Sequence, residues 1–247
     1  MTEYGLIGFP LIHSFSKSFF TEKFQAEGTD AQYLNFEMET VDGLVDTIRQ
    51  HPDLRGLNVT IPHKQNVIPL LDEISEEASE IGAVNVIAIK RQADGTPFLK
   101  GYNADVIGFE QSILPLLKPH HKKALILGTG GASKAINYGL KRLGLETMFV
   151  SRTPREGMIS YGQLDANVMA EYTVIVNCSP LGTFPKTETC PDIPYQLLNG
   201  QHLLYDLVYN PSKTLFLQRG EAQGATIKNG LEMLHLQALA SWQFWNK

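Results

Sequence analysis

One segment limits the architecture more than any other: "KALILGTGGASKA", Lys123 to Ala135. A β-type apolar run reaches Gly128, Gly130 and Gly131 and passes straight into a helical pattern that begins near Ala132. Glycines at such a turn permit tight backbone geometry and let a pyrophosphate approach closely, where it meets free amides and the positive end of the helix dipole. The usual third glycine position holds Ser133, small enough for close helix-to-strand contact. The strand before and the helix after supply the context a dinucleotide site requires. A plain tight turn is the competing reading.

The rest of the chain repeats the alternation of strand and helix. In the first half, "YGLIGF" precedes a helix from about Ser16 and "QYLNFEM" precedes a helix near Val41 to Gln50. "LRGLNVT" and "AVNVIAIK" flank a helical pattern over Ile74 to Ile81. In the second half a bridging helix from Asp105 to Leu117 leads to the glycine turn, and "ETMFVSR", "YTVIVNCS" and "HLLYDLVYN" follow as strands. This pattern predicts an α/β protein with mostly parallel strands and helices on their faces. With 247 residues and a fresh start after "GYNADVIGF", two α/β units are expected. The last segment carries Leu231, Leu234, Ala238 and Trp242 at helical spacing, but periodicity does not say where that helix packs.

Composition removes several classes. Hydrophobic residues make up 43% of the chain, and 21 basic against 26 acidic residues give a net charge of -5. No basic stripe suits a nucleic-acid backbone, and "KPHHKK", Lys118 to Lys123, reads as a solvated linker. No apolar run approaches the roughly 20 residues of a membrane span, and no signal core follows a charged start, so a cytoplasmic protein is expected. Cys178 and Cys190 fit neither a redox pair nor a zinc framework, and no metal is expected. Cys178 reads as a small buried thiol.

The strand after the glycine turn bears on the cofactor. An NAD site places Asp or Glu at its end to bind the ribose 2′-hydroxyl, whereas a 2′-phosphate calls for arginine. Here "VSRTPRE" offers the hydroxyls of Ser151 and Thr153 and the cations of Arg152 and Arg155, with no acid before Glu156. NADP(H) is therefore expected, since guanidinium groups pair with phosphate in bidentate fashion. Two arginines on a solvated loop are the plain alternative.

The first half ends its strands in small polar residues: Ser14 and Ser16, then Asn58, Thr60 and Lys64, then Asn85, then Asn103 and Asp105. In a parallel α/β sheet the crevice beyond the carboxyl ends of the strands binds ligands, and these groups suit a small polyhydroxylated substrate. Each also has a local reading, the serines and Asp105 as helix caps and Asn85 as a turn.

Taken in order, "SFSKS", "NVTIPHK", "GAVN", "GYNAD", "GTGGASKA", "SRT", "NCSPLGT", "DLVYNP" and "NGLEMLHLQA" resemble the shikimate dehydrogenases, NADP-dependent enzymes that reduce 3-dehydroshikimate to shikimate on the route to aromatic amino acids. The resemblance implies a substrate-binding domain over 1–102 plus 231–247, to which the last helix returns, and a doubly wound Rossmann-type NADP domain over 103–230. It implies that Ser14, Ser16, Asn58, Thr60, Asn85 and Asp105 contact the substrate, with Lys64 and Asp105 as the catalytic pair. Tyr209 and Gln237 would reach the same ligand, and Asn177, Ser179, Gly182 and Gly230 would line a nicotinamide pocket. It assigns no role to His63. The expected partner is a small-molecule substrate, the expected assembly a monomer or homodimer.

Three positions depart from the family pattern: Ala104 where a hydroxyl is usual, Ser151 where an amide is usual, and Thr183 where a methionine is usual. Reduction of a ring ketone needs a protic or positive group at the developing alkoxide, a task that suits the Lys64 ammonium held by Asp105. Which of the two moves the proton stays open, because a coupled pair titrates jointly. A quinate or dual-specificity dehydrogenase and a non-catalytic NADP sensor are the alternative functions.

Overall fold

The computed structural model describes residues 1–11 and 15–247. The chain divides into two units, Met1–Ala104 with Ala238–Lys247, and Asp105–Gln237. The sequence-based boundaries lay at 102/103 and 230/231. The second division of the structure falls inside a continuous helix, which has no break of its own to mark it.

The first unit contains β1 (Thr2–Gly8), α1 (Phe15–Glu27), β2 (Ala31–Glu37), α2 (Leu44–Gln50) and β3 (Leu54–Val59). It continues through β4 (Glu73–Ile74), α3 (Glu76–Ile81), β5 (Val86–Arg91) and β6 (Pro97–Tyr102). These form one six-stranded sheet in the order β2-β1-β3-β5-β6-β4. β5 alone runs against its neighbours β3 and β6, because "ADGT" closes a tight hairpin around Gly95 at φ 84°. β6 is a strand that the sequence reading passed over. α3 starts where the Ser75 hydroxyl accepts from the Ala78 amide and stops at Gly82 in the left-handed region, as caps of these types do. Ile7, Leu57 and Ile87 from three adjacent strands are fully buried with Leu44 and Ile48 of α2.

The last helix, α8 (Leu231–Trp245), ends in aromatic side chains that pack into the first unit. Trp245 stacks on Tyr4 with ring centroids 4.9 Å apart, and Phe244 stacks on Tyr102 at 4.2 Å. Gly56 makes room for this, since a Cβ there would lie 2.2 Å from the Trp245 ring.

The second unit contains α4 (Asp105–Ile113), β7 (Lys123–Leu127), α5 (Gly131–Arg142), β8 (Glu146–Ser151), β9 (Met158–Ser160) and α6 (Ala166–Glu171). β10 (Val174–Asn177), β11 (Leu203–Asp206), α7 (Leu215–Ala222) and β12 (Thr226–Lys228) complete it. α4 is shorter than the expected 105–117, because Pro115 passes the chain into a 3-10 turn over Leu114–Leu116 and cannot continue an α-helix. All five strand pairings are parallel, in the order β12-β11-β10-β7-β8-β9. Counted from β7 as the first strand, this is the doubly wound order 3-2-1-4-5-6 with its switch point between β7 and β10. Both faces are covered: Ile126 and Val176 sit in one buried cluster and Leu125 and Ile175 in another. That explains the unbroken apolar runs of these strands. Cys178 packs against the first cluster, and burial pushes its thiol pKa up. Among the described residues no helix is long and apolar enough to cross a membrane.

Candidate active site

In the first unit the reversed direction of β5 decides which residues meet. Its start lies beside the ends of β3 and β6, with Val86 in register with both Asn58 and Tyr102. Asn85, just before β5, therefore joins Asn58 and Thr60 at the end of β3 and Asn103 at the end of β6. The Asn85 carbonyl accepts from the Val59 amide at 2.8 Å, its amide donates to the Tyr102 carbonyl at 3.0 Å, and its side-chain oxygen accepts from the Ala104 amide at 2.6 Å. Ala104 is fully buried. Asn103 donates to the Ala83 carbonyl at 2.9 Å.

Asn58 is buried, and both ends of its carboxamide are engaged. Oδ1 accepts from the Tyr33 hydroxyl at 2.7 Å and Nδ2 donates to the Ser241 hydroxyl at 2.9 Å. The Ser16 hydroxyl, in the first turn of α1, hydrogen-bonds Tyr33. Tyr33 and Ser241 were not singled out from sequence; a buried Tyr must find a partner for its hydroxyl, but nothing local to residue 33 says that the partner is residue 58. Thr60 is half-buried, and its methyl occupies the space over Gly8, where a Cβ would lie 2.4 Å from it. Ser14 lies outside the described residues.

Lys64 is half-buried on the turn after β3, and its carbonyl accepts from the Val84 amide at 2.7 Å, which ties its loop to the segment bearing Asn85. His63 faces away into the core: it is fully buried and its Nε2 meets the Met38 carbonyl at 2.6 Å. Asp105 opens α4 and is buried, at a helix start that favours a carboxylate. Gln237 is buried on α8, donating to the Leu234 carbonyl, and Tyr209 is exposed after β11. Lys64 belongs to the first unit, and Asp105, Tyr209 and Gln237 to the second.

In the second unit the residues assigned to a cofactor follow the carboxyl ends of parallel strands, the edge where such sheets bind ligands. Gly128 follows β7 at φ 111°, a left-handed conformation that favours glycine. Gly130 is the N-cap of α5, and nothing lies within 4 Å of a Cβ built on Gly130 or Gly131. This leaves an open cradle over the amides of Gly131 and Ala132 at the start of a 12-residue helix, which suits a phosphate. Ser133 is buried and donates to the Gly130 carbonyl, so the serine in the third glycine position braces the turn. At the end of β8 the Ser151 hydroxyl accepts from the Thr153 amide at 3.2 Å, and Arg152, Thr153 and Arg155 beyond it are exposed. Asn177 ends β10, Ser179 follows it, and exposed Thr183 lies beyond them. Gly230 follows β12 and abuts the loop after β11, where a Cβ would lie 2.2 Å from the Leu207 carbonyl. No cluster of His, Cys, Asp or Glu able to hold a metal occurs among the described residues.

Residues 6–87 match the family model for the shikimate dehydrogenase substrate binding domain. Over 98% of its length the chain is 34% identical to a shikimate dehydrogenase (NADP(+)) of Desulforamulus reducens, covering 88% of that protein. The chain belongs to the shikimate dehydrogenase family. Among solved structures, the family's shikimate 5-dehydrogenase from Thermus thermophilus, in complex with NADP(H) and shikimate, matches with a TM-score of 0.84 at 28% identity, over 99% of this chain and 93% of that one. A quinate dehydrogenase from Corynebacterium glutamicum in complex with NAD matches with a TM-score of 0.86 at 26% identity, again over 99% and 93%.

Family membership bears on the polar edge of the first unit and, separately, on the glycine cradle of the second. Asp206 and Thr214 were not singled out from sequence: both are fully buried, and Asp206 accepts from Asn177 Nδ2 at 2.9 Å and from the Thr214 hydroxyl. Asp206 stands inside the quoted "DLVYNP", yet its sequence context shows only a polar residue closing an apolar run.

Proposed function

We propose that this protein catalyses the reversible NADPH-dependent reduction of 3-dehydroshikimate to shikimate, with the first unit as substrate-binding domain and the second as NADP-binding domain. The observation that carries this reading is the polar edge around Asn58, Thr60 and Asn85, with Lys64 tethered to it through Val84, in a chain 34% identical to an NADP-dependent member. The cofactor supplies hydride when bound. Gly130, Gly131 and Ala132 present backbone amides to its pyrophosphate, and Arg152, with Arg155, Ser151 and Thr153, receives the 2′-phosphate. Ser14, Ser16, Asn58, Thr60 and Asn85 hold the substrate's carboxylate and hydroxyls, joined by Tyr209 and Gln237. The Lys64 ammonium stabilises the alkoxide that develops on the ketone oxygen, and the Lys64–Asp105 pair delivers the proton. The protein acts on a small molecule as a monomer or homodimer, and unpaired Cys178 and Cys190 suit a reducing, cytoplasmic setting.

The likeness to an NAD-bound quinate dehydrogenase favours a second reading, activity on quinate or with NAD. Steady-state assays that cross shikimate and quinate with NADP+ and NAD+ separate the two. The proposal expects the shikimate and NADP+ combination to have the highest kcat/KM; a maximum with quinate or NAD+ overturns it.

A further inference from the structure

Once its backbone is fixed, Thr60 has a single heavy-atom torsion left to set. Its amide donates to the Ile7 carbonyl at 2.9 Å, its carbonyl accepts from the His63 amide at 2.9 Å, and the Phe9 amide donates to the Ile61 carbonyl at 3.0 Å. These bonds hold the ends of β1 and β3 side by side, and none of them acts on χ1 of Thr60. Among the described residues the Thr60 hydroxyl has no hydrogen-bond partner, so the side chain is held by shape. Its methyl sits over Gly8, the buried last residue of β1. A Cβ on Gly8 would collide with that methyl and would lie 3.0 Å from both the Ile61 carbonyl and Leu11 Cδ2. Gly8 is outside the left-handed region, so the glycine here provides space and not backbone freedom.

The Cβ of threonine is a stereocentre whose substituents take staggered positions. A methyl seated in one of them therefore leaves the hydroxyl a single direction. We propose that Gly8 is a positioning residue for substrate binding: by admitting the Thr60 methyl, it fixes the direction in which the Thr60 hydroxyl meets a polar group of the substrate. The inference deepens the proposed function and rests on its placing of Thr60 at the substrate. Gly8→Ala fills the seat, turns the methyl out and carries the hydroxyl with it. Thr60→Ser keeps the hydroxyl but loses the methyl, which frees the hydroxyl to visit all three staggered wells. In the double variant the alanine methyl fills the space that the serine leaves empty, and the hydroxyl can return to its original direction.

The test is calorimetric binding of NADPH, and then of shikimate to the NADPH-saturated protein, a pairing that cannot turn over. The proteins compared are the wild type, Gly8→Ala, Thr60→Ser, the double variant of these two, and Thr60→Val, each checked by thermal unfolding. Gly8→Ala and Thr60→Val are each expected to weaken shikimate binding by about threefold to tenfold, the span of one hydrogen bond. Thr60→Ser is expected to weaken it by about threefold, the share of one staggered well in three. The double variant should bind shikimate more tightly than Gly8→Ala, a compensation that general damage to the fold does not produce. Affinity for NADPH should stay at the wild-type value throughout. Wild-type affinity of Thr60→Ser for shikimate overturns the inference, as does a double variant no better than Gly8→Ala. Should Gly8→Ala not fold, the comparison of Thr60→Ser with Thr60→Val still decides. Wild-type affinity of Thr60→Val overturns the placing of Thr60 at the substrate and this inference with it. Failure of the wild type to bind shikimate overturns the proposed function and the inference together, whereas a loss in Thr60→Val without one in Thr60→Ser overturns the inference alone.

Discussion

The Asn58 carboxamide donates to the Ser241 hydroxyl at 2.9 Å, joining the end of β3 to the last helix within the first unit. Ser241→Ala leaves a buried NH2 group whose remaining contact, to the Asn85 carbonyl, is 3.5 Å long. Unsatisfied buried donors cost about 1–3 kcal/mol, and that loss is expected in urea unfolding of the variant. The Michaelis constant for shikimate should rise while that for NADP+ stays put. Unchanged stability together with an unchanged constant for shikimate would show that this bond does not hold Asn58.

Gly56 lies under the Trp245 ring. Gly56→Ala must displace the end of α8 from the sheet, and overpacking of this kind costs about 1–3 kcal/mol or more. The variant should melt earlier and show altered tryptophan emission, because Trp242 and Trp245 sit in the same aromatic cluster with Tyr4. A wild-type melting curve would mean that the helix end is loosely held.

Arg152 is exposed beyond β8, where a guanidinium can pair with a 2′-phosphate. Arg152→Ala should raise the Michaelis constant for NADPH far more than that for NADH. Equal effects on both would remove Arg152 from 2′-phosphate recognition.

Asp206 also has a consequence for stability. Its folded-state pKa of about 6 exceeds the ordinary value of about 3.9, so between the two the folded protein holds a proton that the unfolded chain has released. The contribution is fully present below about pH 4 and is lost as the pH rises through about 6. The neighbouring Cys178 thiol and Tyr195 hydroxyl are pushed up by burial and stay neutral in this range. The unfolding free energy of the wild type relative to Asp206→Asn should therefore fall by on the order of 3 kcal/mol between about pH 4 and pH 7. A pH-independent difference would contradict this.

Local pattern carried the alternation of strands and helices, the glycine turn and the polar strand ends, because each depends on residues a few positions apart. It did not carry the reversed direction of β5, which rests on the hairpin at Gly95 and brings Asn85 beside Asn58. It passed over β9 and β12, three residues each, too short for any period to register. The contacts of Asn58 with Tyr33 and Ser241 span 25 and 183 residues. Asp206 likewise gains its meaning only from Asn177, 29 residues away. Buried hydrogen bonds between distant elements have no local signature, so the groups that orient a site are harder to read than the groups that form it.

The role proposed for Lys64 is to serve ketone reduction by NADPH. The direct measurement is the loss of NADPH absorbance on addition of 3-dehydroshikimate, for the wild type and for Lys64→Ala at matched thermal stability. Turnover by the wild type is expected, with a kcat lower by about 10² to 10⁴ in the variant, the span of a positioned acid or base. Binding of NADPH without oxidation by the wild type, or a variant kcat near the wild-type value, would contradict it.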